Sequence, residues 1–283
     1  MEYLIHKGVR IPLIGLGTYG FGLNEKTILS EENTVKRCIE KYGMTLIDTA
    51  ECYGDGKSET FIGNIIKNYD REDFFIVDKI LPQNAKNDDY FASCKKSLDR
   101  LGIQSIDLYL LHWREGLELQ SVVNAMESLV SSGMIKHWGV SNFDTSDMIE
   151  LFACENGSNC FCNQILYNIC TRGPEYDLIP WCKEHGVLIM AYSPLCHYKE
   201  NRQEITCNSS VCNIADNENK TPESLMLSFV IKNRDIVTVF KTSDIKRLDN
   251  NMKNVFSPIS EENKKALSQF FKIPTKRTKL KTI

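Results

Sequence analysis

No stretch of this chain approaches the ~18 consecutive apolar residues that a membrane-spanning helix requires. The opening Met1-Glu2-Tyr3-Leu4-Ile5-His6-Lys7 has none of the apolar core of a secretory leader. Charge of one sign is also lacking: 34 Lys and Arg stand against 37 Asp and Glu, a formal net charge of −3. That field is too weak to argue for nucleic acid or a membrane surface as partner. Paired C-x-x-C spacing is absent although there are 11 cysteines, and an odd count without a leader argues against a disulfide framework and for a reducing cytosol. Cys160-Phe161-Cys162, with Cys154 and Cys170 nearby, has no histidine in register. These thiols therefore read as packed or solvent-facing, and no metal is expected. What remains is small-molecule chemistry.

The 283 residues suit either two domains or one large α/β barrel of ~250 residues. Short aliphatic or β-branched runs alternate with amphipathic stretches along most of the chain. Eight runs read as strands: Leu13–Leu16, Thr45–Ile47, Phe74–Val77, Ile106–Leu110, Lys136–Val140, Phe161–Gln164, Val187–Ala191 and Ile236–Val239. Between them Glu31–Tyr42, Ser58–Asn68, Asp88–Leu101, Leu117–Ser132, Asp144–Phe152, Glu175–His185, Pro222–Lys232 and Asp244–Asn251 read as helices. Strict alternation forces parallel pairing, and eight such units close into a (β/α)8 barrel. An open doubly wound sheet would announce a G-x-G-x-x-G turn that opens a helix. Gly15-Leu16-Gly17-Thr18-Tyr19-Gly20 runs instead into Phe21-Gly22-Leu23-Asn24, which opens none. The expected architecture is a single domain over 1–283: a TIM barrel with an N-terminal β-hairpin (Tyr3–Val9, turning at Lys7-Gly8) against its floor and a short C-terminal tail. Pro194–Lys220 reads as one long irregular loop. The basic tail 272–283 is either solvated or a flap over the pocket mouth.

In such a barrel the chemistry sits at the C-terminal ends of the strands. Asp48 and Tyr53 follow the second strand, Lys79 ends the third and His112 the fourth. Each alone has an ordinary explanation: a packed aromatic, a turn cap, a core histidine. Together they make a general-acid site for a carbonyl. A phenol of pKa near ~10 keeps its proton at neutral pH, an adjacent ammonium stabilises the phenolate, and a carboxylate holds that ammonium in place. His112 donates to the carbonyl oxygen and orients it. No Ser–His–Asp or Cys–His nucleophile is readable, so a hydride from a cofactor is the natural electron source.

These residues lie in blocks that resemble the aldo-keto reductase family over essentially the whole chain. The blocks are Asp48-Thr49-Ala50-Glu51-Cys52-Tyr53-Gly54, Asp107-Leu108-Tyr109-Leu110-Leu111-His112-Trp113, Gly139-Val140-Ser141-Asn142-Phe143, Asn163-Gln164 and Ala191-Tyr192-Ser193-Pro194-Leu195. The resemblance implies a catalytic tetrad of Asp48, Tyr53, Lys79 and His112, with Tyr53 as proton donor. It further implies that Ser141, Asn142 and Gln164 bond the nicotinamide carboxamide, that Tyr192 stacks on its ring, and that Ser193 and Leu195 lie at the pyrophosphate. Gly17, Thr18 and Tyr19 would line the top of the first strand. The segment Lys241-Thr242-Ser243-Asp244-Ile245-Lys246-Arg247 through Asn251 is similar to the family's adenosine-phosphate segment. Lys241, Thr242, Arg247 and Asn251 are its cofactor residues, and two cations there favour NADPH over NADH. Ser141-Asn142 is also readable as a helix cap.

Tyr19, Tyr53, His112 and Trp113 are the expected substrate pocket, suited to small, weakly polar carbonyls. The branch most similar is a bacterial one associated with aldehydes such as methylglyoxal. Departures from the family pattern are Tyr19 for a common Trp, Asp78 before Lys79, Phe240 for a common Pro and Thr242 for a common Ser. Strand alternation should point Asp78 and Lys79 to opposite faces. The activity implied is NADPH-dependent reduction of aldehydes and some ketones by a cytoplasmic monomer or weak dimer. The alternative is an NADP(H)-binding regulatory or interaction protein on the same barrel.

Overall fold

The computed structural model describes residues 1–86 and 89–283. The chain opens with an antiparallel hairpin of β1 (Tyr3–His6) and β2 (Val9–Pro12). Lys7 and Gly8 turn it at φ 46° and 81°, the left-handed pair that matches the twist of a two-residue loop. The second strand runs on to Pro12, beyond the expected Val9 boundary. The hairpin lies against the barrel floor: the His6 ring meets Phe161 edge-on at 4.8 Å and the Lys7 ammonium donates to the Cys160 carbonyl at 3.4 Å.

Eight parallel strands follow: β3 (Ile14–Gly17), β4 (Leu46–Asp48), β5 (Phe75–Ile80), β6 (Ile106–Leu111), β7 (Ile135–Ser141), β8 (Cys162–Leu166), β9 (Leu188–Tyr192) and β10 (Ile236–Phe240). β10 returns to pair with β3, closing the ring in the order β10-β3-β4-β5-β6-β7-β8-β9. All eight expected strands are present, with small shifts at their ends. Every residue of β5 and β6 is buried, as a sheet covered on both faces requires. Gly15 and Gly139 let neighbouring strands approach, since a Cβ at either would collide with Leu46 or with the Cys162 carbonyl.

The helices among the described residues are α1 (Ile28–Tyr42), α2 (Lys57–Ile66), α3 (Pro82–Lys86), α4 (Tyr90–Leu101), α5 (Leu119–Ser131), α6 (Thr145–Ala153), α7 (Leu178–Glu184), α8 (Lys199–Thr206), α9 (Ser209–Asn217), α10 (Pro222–Val230), α11 (Ile245–Asn251) and α12 (Glu261–Phe270). Left-handed Gly43 and Gly102 stop α1 and α4, and the Thr221 side chain caps α10 just ahead of Pro222. The expected start of the helix after the third strand, Asp88, lies outside the described residues.

Three expectations are corrected. Pro194–Lys220 is not irregular: it carries α8 and α9, the latter capped by the Asn208 side chain on Ser210 and Val211 N–H. The cap of α6 is Asp144, in a reciprocal box with Asp147, and not Ser141-Asn142. The tail follows an unanticipated helix, α12, and, although most of its residues are exposed, it is fastened to the barrel. Arg277 pairs with Asp177 at 3.1 Å and Asp144 at 3.4 Å, Leu280 packs on the core, and the Ile283 backbone meets the Tyr192 hydroxyl. The tail thus reaches the C-terminal end of the barrel beside Tyr192.

Candidate active site

β4 and β5 run side by side with Asp48 opposite Val77, which brings the end of β4 beside Lys79. The Lys79 ammonium, wholly buried, has three donors and three acceptors: Thr49 O at 2.7 Å, Asp48 Oδ1 at 2.8 Å and Tyr53 Oη at 3.3 Å. His112 follows β6, its backbone N–H on Ile80 O at 3.0 Å and its ring 6.0 Å from that of Tyr53. The four residues expected to converge do so at one end of the barrel.

Burial pushes the Tyr53 hydroxyl up to about 12, and the Lys79 charge opposes that rise. Burial alone would lower the Lys79 ammonium, but Asp48 and Tyr53 outweigh it and hold it above its ordinary value. Burial, then the Lys79 charge, takes the His112 imidazole down to about 3, so it is neutral at physiological pH. At pH 7 the site therefore holds a protonated phenol, an ammonium and a neutral imidazole. Asp78 points away, as alternation predicts: it lies opposite Tyr109 on β6 and faces Glu59 of α2. Burial, reinforced by Glu59, raises the Asp78 carboxyl well above the carboxylate range. The carboxyl lies behind the barrel wall, where that rise disfavours its charged form.

A second network joins the first. Gln164 on β8 donates through Nε2 to Asp48 Oδ1 at 2.7 Å and contacts Met190 Sδ at 3.0 Å. The Ser141 hydroxyl donates to Gln164 O at 2.9 Å. The Asn142 amide donates to His112 O at 3.2 Å, and its Oδ1 accepts from the Tyr192 hydroxyl at 2.8 Å. Asn142 and Ser193 both sit at positive φ, 63° and 51°, and Asn168 holds the Ser193 carbonyl at 3.0 Å. Thr18 reaches the Asp48 carbonyl through both its N–H and its hydroxyl, each at 3.0 Å. Gln164 and Thr18 thus touch Asp48 and Asn142 touches His112, while Ser141 and Tyr192 join through Gln164 and Asn142; Ser193 and Leu195 follow on the loop after β9.

The aromatics stand at the mouth. Tyr19 is 69% exposed with its ring edge-on to Tyr53 at 5.2 Å, and Trp113 lies 5.0 Å from His112. Lys241 and Thr242 precede α11, Arg247 lies in its first turn and Asn251 ends it. The Lys241 ammonium lies 5.0 Å from the Phe21 ring and is lowered by partial burial and by the Arg247 charge. Thr242 and Asn251 are buried, whereas Arg247 is exposed and forms no ion pair among the described residues. Glu31 partly offsets the lowering of Lys241 and Asp244 lies near Arg247, but neither cation forms an ion pair among the described residues, and two such neighbouring cations fit a phosphate group of a dinucleotide. Among the described residues no group of three or more His, Cys, Asp or Glu side chains could hold a metal ion.

One contact escaped the sequence reading. The Cys52 thiol lies 3.6 Å from His112 Nδ1. Cys52 sits in a turn, where no periodicity marks which way a side chain faces, and its only signal was its place beside Tyr53.

The Aldo/keto reductase family profile matches residues 13–271. Methylglyoxal reductase YeaE of Escherichia coli (strain K12) is 36% identical over 96% of this chain and 95% of its own. Glyoxal reductase of Bacillus subtilis (strain 168) is 30% identical over 92% and 88%. The crystal structure of an aldo-keto reductase from Klebsiella pneumoniae in complex with NADPH superposes with a TM-score of 0.94 at 35% identity, covering both chains in full. A barrel closed on this order, a phenol, ammonium and imidazole gathered at its mouth, and a family match across nearly every strand lead to one conclusion: the chain belongs to the aldo/keto reductase family.

Proposed function

We propose that this protein is an NADPH-dependent reductase that converts aldehydes and some ketones to alcohols, with Tyr53 as proton donor. The observation that carries the reading is the buried chain of contacts from Asp48 to Lys79 to the Tyr53 hydroxyl. NADPH, when bound, supplies the hydride. Tyr53 holds its proton until negative charge develops on the carbonyl oxygen, and Lys79 stabilises the phenolate left behind. Asp48 and the Thr49 carbonyl keep the ammonium in place. Neutral His112 donates to the same oxygen and orients it.

Ser141, Asn142 and Gln164 would hold the nicotinamide carboxamide and Tyr192 the ring, with Gly17, Thr18 and Tyr19 beside them. Ser193 and Leu195 would take the pyrophosphate, Lys241 and Arg247 the adenosine 2′-phosphate and Asn251 the adenine edge, with Thr242 beside them. Tyr19, Tyr53, His112 and Trp113 would line the substrate pocket. These aromatic walls favour small carbonyls, and relatedness to methylglyoxal and glyoxal reductases supports α-oxoaldehydes as substrates. The chain works as one reductase domain in a reducing cytosol, as a monomer or weak dimer. Its free cysteines support that compartment, and no helix among the described residues is long and apolar enough to cross a membrane.

The test is loss of NADPH absorbance with methylglyoxal or a nitrobenzaldehyde, in wild type and Tyr53→Phe. Turnover by wild type and a loss of about 10²–10⁴-fold in the variant are expected. Tight NADPH binding with no aldehyde-dependent turnover would remove the reading in favour of a cofactor-binding regulatory protein.

A further inference from the structure

We propose that Cys52 is a positioning residue for carbonyl reduction: its thiol hydrogen-bonds His112 Nδ1 and so fixes the imidazole proton on Nε2, the nitrogen that meets the substrate. This rests on the reductase reading above and adds to it a residue outside the expected tetrad.

The geometry leaves the ring few choices. The His112 backbone is held on both sides, its N–H on Ile80 O at 3.0 Å and its carbonyl by the Asn142 amide at 3.2 Å. Its ring lies between Tyr53 and Trp113, at 6.0 and 5.0 Å. In that setting Cys52 Sγ stands 3.6 Å from Nδ1. No other side chain among the described residues bonds either ring nitrogen.

A neutral imidazole has one N–H donor and one lone pair, and the partner of one nitrogen decides what the other offers. Burial takes His112 down to about 3, so both of its neutral tautomers are the ones to weigh. Burial pushes the Cys52 thiol up to about 11, against a smaller opposing pull from Lys79, so it keeps its proton. A thiol is a weak donor and a weak acceptor, whereas an imidazole lone pair is a strong acceptor. The favourable pairing is S–H donating to Nδ1, which leaves Nε2 protonated. The opposite tautomer would point an N–H at sulfur and aim a lone pair at a carbonyl oxygen, where the two would repel.

The experiment compares wild type with Cys52→Ser, Cys52→Ala and Cys52→Val, all bound to NADP⁺. Two-bond proton–nitrogen correlations of ¹⁵N-histidine-labelled protein report which nitrogen of His112 carries the proton. Reductase rates with methylglyoxal are measured alongside. Wild type and Cys52→Ser, which keeps a donor, are expected to show Nε2–H and to turn over within about twofold of each other. Cys52→Ala and Cys52→Val are expected to shift toward a mixture of tautomers, with kcat about three- to tenfold lower, the size of one hydrogen bond, and KM for NADPH unchanged. A proton on Nδ1 in wild type would overturn the proposal. So would full activity with an unchanged tautomer in the apolar variants, or an equal loss in all three variants with the tautomer unchanged, which would assign the loss to packing. Absence of reductase activity in wild type would sink the reductase reading instead, and the tautomer measurement still decides what Cys52 does.

Discussion

Gln164 and Lys79 converge on a single atom: the amide of the one, at 2.7 Å, and the ammonium of the other, at 2.8 Å, both meet Asp48 Oδ1. Gln164 is therefore a structural support of the tetrad as well as an expected cofactor contact. Replacing it by Leu removes a donor from a buried carboxylate, and unfolding free energy should fall by about 1.5–3 kcal/mol in urea titrations. Gln164→Glu should lose more at pH 7, because two carboxylates would then face each other, and should regain stability as acid protonates one of them. A Glu variant as stable as wild type at pH 7 would contradict the shared-oxygen arrangement.

His112 makes stability depend on acid. Its folded pKa of about 3 lies below the ordinary 6.5, so between those values the unfolded chain binds a proton that the folded chain refuses. Stability from this group is complete above pH 6.5 and is lost as pH falls toward 3, by about 1–2 kcal/mol at pH 5. Thermal unfolding of His112→Gln followed from pH 7 to 5 should show a correspondingly shallower decline. Parallel curves for the two proteins would rule this out.

Arg247 stands exposed at the start of α11 beside Lys241. Arg247→Ala should raise KM for NADPH by about tenfold or more, the size of a charge-assisted hydrogen bond, with little effect on NADH. Equal effects on the two cofactors would end the phosphate assignment.

The tail is fastened to the barrel through Arg277, about half exposed, on Asp144 and Asp177. Ion pairs of that exposure add at most about 1 kcal/mol, so Arg277→Ala should leave the midpoint of unfolding nearly unchanged. It should nevertheless quicken tryptic cleavage after the remaining tail lysines, because what those pairs fix is the position of a terminal segment. Cleavage at the wild-type rate would mean that Leu280 and its neighbours suffice to hold the tail.

Much of this molecule could be read from its residues. The eight strands were legible because a parallel sheet buried on both faces leaves continuous apolar runs such as Ile106-Asp-Leu-Tyr-Leu-Leu111. The convergence of Asp48, Tyr53, Lys79 and His112 was legible because polar residues at the ends of such runs stand out. α8 and α9 were not, since α8 buries only Ile205 and α9 only Val211, Ile214 and Ala215, too thin a stripe to show a period against a polar background. α12 likewise buries only Leu267. The cap at Asp144 was missed because Ser141-Asn142 has cap chemistry too, and Asn142 is bound instead to His112 and Tyr192.

Closure of the ring by β3 and β10 pairs Ile14 with Thr238, residues from nearly opposite ends of the chain. During synthesis the first barrel strand therefore waits with an open edge until almost the last has left the ribosome. The hairpin before it, made of local contacts alone, forms far sooner. A chain halted before β10 would carry two unpaired, apolar edges, on β3 and β9, and such edges recruit other chains. Truncations on that side should aggregate rather than persist as smaller folded pieces, so the last strand decides whether the barrel survives in the cell.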